Sequence, residues 1–596
     1  IAFTMLLSLI MQTAHDQLVR YVTTTGSYAG DGLSWATAKN NLQDAINDLH
    51  NHMVQAGITE GGCIYVAQGT YKPTESTEQM GGGVLFTAFK LYGGISVYGG
   101  YAGTETGDDL LPENREMKSA TAKPWELKYE TILSGNHSSS TPTTFTWNAK
   151  KETYDTSFPG NSYHVVWFAT NGFDENGRAK PLNGTALMDG FTIEGGCAGN
   201  RTVENDHEHN AFGGGAYMVE GAQLKHCIVQ KNESTRRGGG LYLDGGGEVD
   251  YCYLHTNQCL GLGIVAGYGG GVCVEGNGKV LHSLIHNNTA RIGGGAALSA
   301  EGVAGMECFN PAMAGCVVSN NTTTTEGGGV FLYQGGQMNH CSVVRNKCTG
   351  PNIIIQGRRY GRSAGVYVDN AAMIVNSVLW GGQVDANDDV QYAAYTPNST
   401  DVLKPYMNYT AVSNHDLADW TSTSKLEVMA VGAVNSGTGG RFPDFLPGTD
   451  GKAVDDIPCG VETDAAATPE SRWKPAGFSP LRERGVQVVD FAINERALRS
   501  HITTDIDGKS FAPRTSLGAY VSERTKYAPV LLPSIEDNAQ KAYTLFVDPD
   551  REIIDLSTAT HVGHSWAAPL GNINDALLWF SSYKGQEIEY YDGASA

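Results

Sequence analysis

Between Gly213 and Gly365 the chain repeats one pattern: a glycine triplet, a short apolar run, then a second run closing on Asn. The copies read GGGAYMVEGAQLKHCIVQKN, GGGLYLDGGGEVDYCYLHTN, GGGVCVEGNGKVLHSLIHNN, a longer GGGAALSA…GCVVSNN, and GGGVFLYQGGQMNHCSVVRN. A repeat at this spacing constrains the fold more than any other feature, because each unit buries its apolar face only against the units before and after it. Cys227, Cys252, Ser283, Cys316 and Cys341 keep one register, and Asn232, Asn257, Asn288, Asn321 and Asn346 keep another. Both series advance by 25, 31, 33 and 25 residues, so the insertions fall outside this strand and turn. The shorter step fits one coil of a parallel β-helix with three strands, at roughly 3.3 Å per residue.

Residue types agree with an all-β reading. Val, Ile, Leu and Tyr fill the short runs, and no helical period survives across them. The triplets supply turns that a Cβ would obstruct and let coils approach closely. Stacked Asn side chains suit a hydrogen-bonded ladder along the axis, and the Cys positions suit an interior column of small hydrophobes. A sixth copy, SAGVYVDNAAMIVNSVLWGG, puts Ser377 in the Cys position. Eleven Cys without a CxxC pair make zinc a poor fit and stacked free thiols the favoured state, with disulfides between coils as the alternative.

With 41 basic and 63 acidic residues the net charge is −22, which excludes nucleic acid or an anionic membrane as the main partner. The run from Ile1 to Ala14 is apolar and uncharged, and residues 1–18 read as a signal peptide clipped at its front; a cap over the solenoid's open end is the alternative. No later run is long and apolar enough to span a bilayer. Residues 21–135 read as an entry section, whose amphipathic helix carries Leu42, Ala45, Ile46 and Leu49 on one face. FKLYGGISVYGGYAGTET reads as two coils, and residues 136–183 as a long insertion.

The entry motifs GSYAGDGLSWATA…LQDAI, IYVAQGTYKP, ISVYGGYAGTET and TILSG, with GFSPLRERGVQVVD and TTDIDGKSFAPRTSLGAY near the close, resemble bacterial surface proteins with right-handed parallel β-helices. The match is nearest to the choice-of-anchor Q group found in Bacteroidota. The repeats are also similar to those of chlamydial polymorphic outer-membrane proteins, with Val229, Leu254, Ile285, Val318 and Val343 where that pattern often has Phe. The resemblance implies one right-handed parallel β-helix over residues 19–522, with a capping helix at its N-terminal end and a terminal coil made by 477–490 and 503–520. It also implies export to the surface of a Gram-negative cell. SWATAKNNLQDAI (34–46) aligns with SWAAPLGNINDAL (565–577), so 541–596 reads as the beginning of a second module, truncated, joined by a linker at 523–540.

Candidate chemistry is sparse. Glu204, Asp206, His207, Glu208 and His209 interleave carboxylates and imidazoles suited to a divalent cation. Asp385, Asp388 and Asp389, and Asp505 with Asp507, offer oxygen ligands for Ca²⁺, although Asp is also an ordinary turn former. Arg358, Arg359 and Arg362 form the one basic group near the coils and would meet an acidic polysaccharide. Tyr217, Tyr242 and Phe331 recur after the triplets, either as a stacking face for sugar rings or as packed interior residues. The leading expectation is an exported, non-catalytic adhesin, glycan-binding module or stalk, whose partner is a polysaccharide or a host or cell-surface protein. A polysaccharide lyase or glycoside hydrolase, and an inert structural fibre, are the alternatives.

Overall fold

The computed structural model describes residues 18–74, 86–137, 161–168, 180–199, 208–261, 267–300, 311–350, 364–368, 372–380, 502–511 and 518–521, together with the backbone of short strands elsewhere. The expected leader, the linker and the second module lie outside the described residues. Four all-parallel sheets of twelve, eleven, seven and eight strands stack coil upon coil, giving the right-handed parallel β-helix that the repeat predicts.

Each coil has four strands rather than the three expected. One runs Ala216–Val219, Ala222–Lys225, Ile228–Gln230 and Glu233–Ser234, and belongs in turn to the eight-, twelve-, eleven- and seven-stranded sheets. The next coil follows in register, pairing Ala216 with Leu241, Leu224 with Val249, Val229 with Leu254 and Glu233 with Gln258. The fourth strand is two residues long, too short to show a sequence period. Phe89–Leu91 and Ile95–Tyr101 are strands of the eight- and twelve-stranded sheets, not separate coils. Within the expected insertion, Val166–Phe168 is a strand pairing with Ala216–Val219.

Two corners recur in every repeat. The residue before each Cys or Ser position is left-handed, with φ between 38° and 64° at His226, Tyr251, His282, Gly315 and His340. So is the residue before each Asn position, at Lys231, Thr256, Asn287, Asn320 and Arg345. Such backbone is costly for residues with a Cβ, and the inward side chain that follows offsets it. Asn257 N and Nδ2 both donate to Asn288 Oδ1, at 2.9 and 3.1 Å, while Asn288 N and Nδ2 do the same to Asn321 Oδ1. Each Nδ2 also reaches a carbonyl of the preceding coil, as Asn288 does at Leu254 O, 2.9 Å away. The column runs from Asn232 to Asn346, and every member is buried. In the other column Cys227, Cys252, Cys316 and Cys341 are buried free thiols, and Ser283 Oγ takes the Cys252 N–H at 3.0 Å. At the triplets a Cβ on Gly240 would stand 2.5 Å from Gly271 O, so only glycine lets these backbones meet.

Helix α1 (Leu42–Ala56) begins at Asn41, whose side chain accepts from Gln43 N and Asp44 N, and ends at left-handed Gly57. It buries Leu42, Ala45, Ile46, Leu49 and Met53 against the first strands, so it caps the core at the N-terminal end. No described helix is long and apolar enough to cross a membrane.

The segment expected as a last coil does something else. Ile506, Ala519 and Tyr520 lie with Leu284 and Val317, and Ile502 and Phe511 lie with Leu281 and Ala314. Residues 502–511 and 518–521 therefore form a lateral strap along the sides of coils that carry Leu281 to Asn376. The outer row of the eleven-stranded sheet is apolar here, and covering it removes that surface from water. Gly518 N donates to Asn376 O at 2.8 Å and Ala519 N to Ser342 Oγ at 3.0 Å. A second strap carries Trp125, which packs by Tyr253, and the two straps join through Lys123 and Asp507 at 2.6 Å.

Candidate functional site

Among the repeat coils, length varies at two places. Through the repeat coils the twelve-to-eleven connection is two residues, as from Lys225 to Ile228 and from Leu281 to Leu284, and the eleven-to-seven connection is equally constant; the entry coil differs, with residues 102–130 between Tyr101 and Thr131. Extra residues enter where the seven-stranded sheet passes to the eight-stranded one, at 199–215, 260–271 and 349–365. They also enter where the eight-stranded sheet passes to the twelve-stranded one, at 169–185 and 300–311. All of these connections border the eight-stranded sheet, which makes its outer side the variable face of the solenoid.

Strand alternation turns Met218, Leu243 and Leu332 inward and sets Trp167, Tyr217, Tyr242, Cys273, Ala297, Phe331 and Tyr367 in register on that outer side. Trp167 stacks on Tyr217 at 4.3 Å and Phe331 on Tyr367 at 4.8 Å. Tyr217, Tyr242 and Phe331 are nevertheless buried, because neighbours such as Phe212, His209 and Tyr268 pack over them. They face outward without being an open stacking surface for sugars.

The phenols meet carboxylates one coil further on. Tyr217 OH donates to Asp244 Oδ2 at 2.5 Å and lies 3.1 Å from His209 Nδ1. Tyr242 OH donates to Glu275 Oε2 at 2.8 Å, and Arg237 Nη1 reaches the same oxygen at 2.6 Å while its guanidinium covers the Phe212 ring. Burial first, and then the adjacent anions, push both phenols well above their ordinary range. Burial opposes the charge on Arg237, but Glu275 outweighs it and holds the guanidinium above its usual value. His164, buried beside Trp167 and Tyr217, has its Nδ1 2.8 Å from Gly213 O, and burial lowers it to about 4, so it is neutral at pH 7.

Of the residues singled out by sequence, His209 reaches this face. Glu204, Asp206, His207, Arg362, Asp385, Asp388 and Asp389 lie outside the described residues. Glu208 is placed by its backbone in a short helical turn, Glu208–Ala211. Arg358 and Arg359 are placed by backbone in an antiparallel hairpin that pairs Ile354 with Arg359, within the 349–365 connection. Asp505 accepts from Asp507 N, Lys509 N and Val521 N, and Asp507 pairs with Lys123, so both hold the strap rather than present a calcium cage. Among the described residues no group of three His, Cys, Asp or Glu is arranged to hold a metal ion. Asp244, Glu275 and Arg237 were not expected. Their signal was the acid closing GGGLYLD and GGGVCVE at one register.

No family model and no curated protein matches the sequence. Among solved structures, the chain is similar to pectate lyase Pel9A at 12% identity and a TM-score of 0.39, over 85% of this chain and 96% of that one. It is also similar to Escherichia coli YbhC at 11% identity and a TM-score of 0.23, over 70% of this chain and 76% of that one. At these scores the fold rests on the strand pairing itself.

Proposed function

We propose that the chain is an exported surface β-helix that binds an extended glycan along the outer side of its eight-stranded sheet, without cleaving it. The observation that carries this reading is the gathering of the variable connections of the repeat coils along that one sheet, while the other corners of those coils stay constant. A rigid solenoid with variation on one side supports a long binding face, whose framing loops set specificity. The polar groups along it supply hydrogen bonds for hydroxyl-rich polymers, and Arg358 and Arg359 stand on one of the framing connections. Export to a Gram-negative surface belongs to the same reading and is supported by the entry motifs. Ca²⁺ enters it as a ligand of the acidic connections.

A second reading, hydrolysis or lyase chemistry, is favoured by one feature. Asp244 and Glu275 come from successive coils on the same outer side, and a glycosidase needs two carboxylates near one another. One gel-filtration experiment separates the two. The whole chain is incubated with neutral and acidic polysaccharides, with and without Ca²⁺, and polymer size and protein elution are followed together. Co-elution with full-length polymer is expected. Shortened polymer, or elution of the protein alone across the panel, overturns the binding reading.

A further inference from the structure

We propose that His255 and His286, neighbours on the outer side of the eleven-stranded sheet, hold one transition-metal ion between successive coils. The two are direct partners in the parallel pairing of Tyr253–His255 with Leu284–His286. Parallel strands in register lie about 4.8 Å apart and send matched side chains to the same side, so the two imidazoles leave the sheet next to each other. Rings placed this way can each turn one nitrogen toward a common ion, at the usual zinc–nitrogen distance of about 2.0–2.1 Å. The other nitrogen of each ring is engaged: His255 Nδ1 lies 3.1 Å from Thr256 Oγ1, and His286 Nδ1 lies 2.9 Å from Ser319 Oγ. With Nδ1 donating to a hydroxyl, the lone pair sits on Nε2, and supporting groups orient metal-bound imidazoles in this manner. His255 also stacks on Tyr253 at 4.2 Å, which steadies its ring.

Charge state and access suit such an ion. Burial first, then His286 and Lys231, lower His255 to about 4, so it is neutral at pH 7 and releases no proton when it ligates. Lys231, which also disfavours positive charge here, is paired with Glu194 at 3.8 Å, and Gln230 Nε2 donates to the same carboxylate oxygen at 2.8 Å. His286 is buried and His255 is partly exposed, so an ion enters past His255. Two imidazoles fall short of the three or four protein ligands of a closed cage, so water or a ligand's oxygen completes the shell. Imidazole nitrogens suit Cu²⁺, Ni²⁺ and Zn²⁺ rather than Ca²⁺ or Mg²⁺, and Cu²⁺ is held most tightly of these. The site stands apart from the variable face, on a different sheet of the solenoid.

Equilibrium dialysis of the whole chain against Cu²⁺, after treatment with a chelator, tests the site. Because Cu²⁺ also finds isolated imidazoles, the readout is the difference between variants. His255→Gln and His286→Gln should each remove the same single equivalent, so the double variant loses no more than either alone. The spin-resonance spectrum of that equivalent, taken as wild type minus His255→Gln, should show two nitrogen ligands. Ser319→Ala removes the hydroxyl on His286 Nδ1 and should weaken the equivalent roughly 10–100-fold without abolishing it. Changing His207 and His209 together to Gln should leave it in place. Unchanged stoichiometry in His255→Gln, or an equivalent lost only with His207 and His209, overturns the proposal. Should His286→Gln disturb the coils, His255→Gln on the exposed side decides.

Discussion

Replacing Asn288 by Ala should lower the unfolding free energy by about 4 kcal/mol, among the largest effects of any single change in the coils. The side chain sits mid-column and is fully buried. Its Oδ1 is the acceptor for both Asn257 N and Asn257 Nδ2, and its Nδ2 serves Leu254 O and Asn321 Oδ1. Ala removes all four bonds and leaves several buried groups without water or partner, each costing about 1–3 kcal/mol. Asn288→Asp keeps the shape and the acceptor but removes the donor and buries a charge, so it should be no better tolerated. Denaturant titration measures both variants. A loss under about 1 kcal/mol for Ala would mean that the column is decoration on a fold held by apolar burial alone.

Arg115→Met should cost a similar amount, about 3–5 kcal/mol, because it strands a buried carboxylate. Arg115 Nη2 contacts Asp189 Oδ1 at 2.5 Å, and its other nitrogens reach Gly99 O and Pro112 O. Burial pushes the Asp189 carboxyl up, but the His226 hydrogen bond and the Arg115 guanidinium together outweigh burial and hold it below the ordinary carboxylate value. A carboxyl depressed in the folded state contributes stability above its unfolded value of about 3.9, and that contribution falls away as pH drops through the folded value. Wild type should therefore lose this increment only in acid, while Arg115→Met should regain part of its deficit there as Asp189 takes a proton. Thermal melts at about pH 3 and about pH 7 read the difference. Equal deficits at both would show that packing, not charge, is what Arg115 contributes.

What the sequence made legible is what every coil reuses. The Asn and Cys positions stood out because each lies one residue after a left-handed corner, and that geometry repeats with the chain's own period. The four-strand section did not stand out, since Glu233–Ser234 or Gln258–Cys259 is too short to alternate. The strap was read as part of a last coil because GFSPLRERGVQVVD and TTDIDGKSFAPRTSLGAY resemble the terminal coil of a β-helix family. Whether such residues cover an end or a flank depends on which distant surface is apolar, and Leu284 and Val317 show that only in three dimensions. The variable face was hidden for the same reason: insertion lengths were countable, but the side from which they leave is fixed by the four-sheet cross-section.

The join between Lys123 and Asp507 has a mechanical consequence. A plain solenoid pulled from its ends peels one coil at a time, since each coil is held only by its neighbours. Here the strap fastens a late part of the chain across coils laid down much earlier, through Asn376 O, Ser342 Oγ, Lys123 and the apolar row. Tension applied outside that span loads the lateral seam in shear, with its bonds strained together, before it reaches the enclosed coils. Forced opening follows the rate at which such a seam yields rather than the equilibrium stability of the coils. The strap thus works as a tether in parallel with the coils between residues 123 and 507, which stay slack until it lets go.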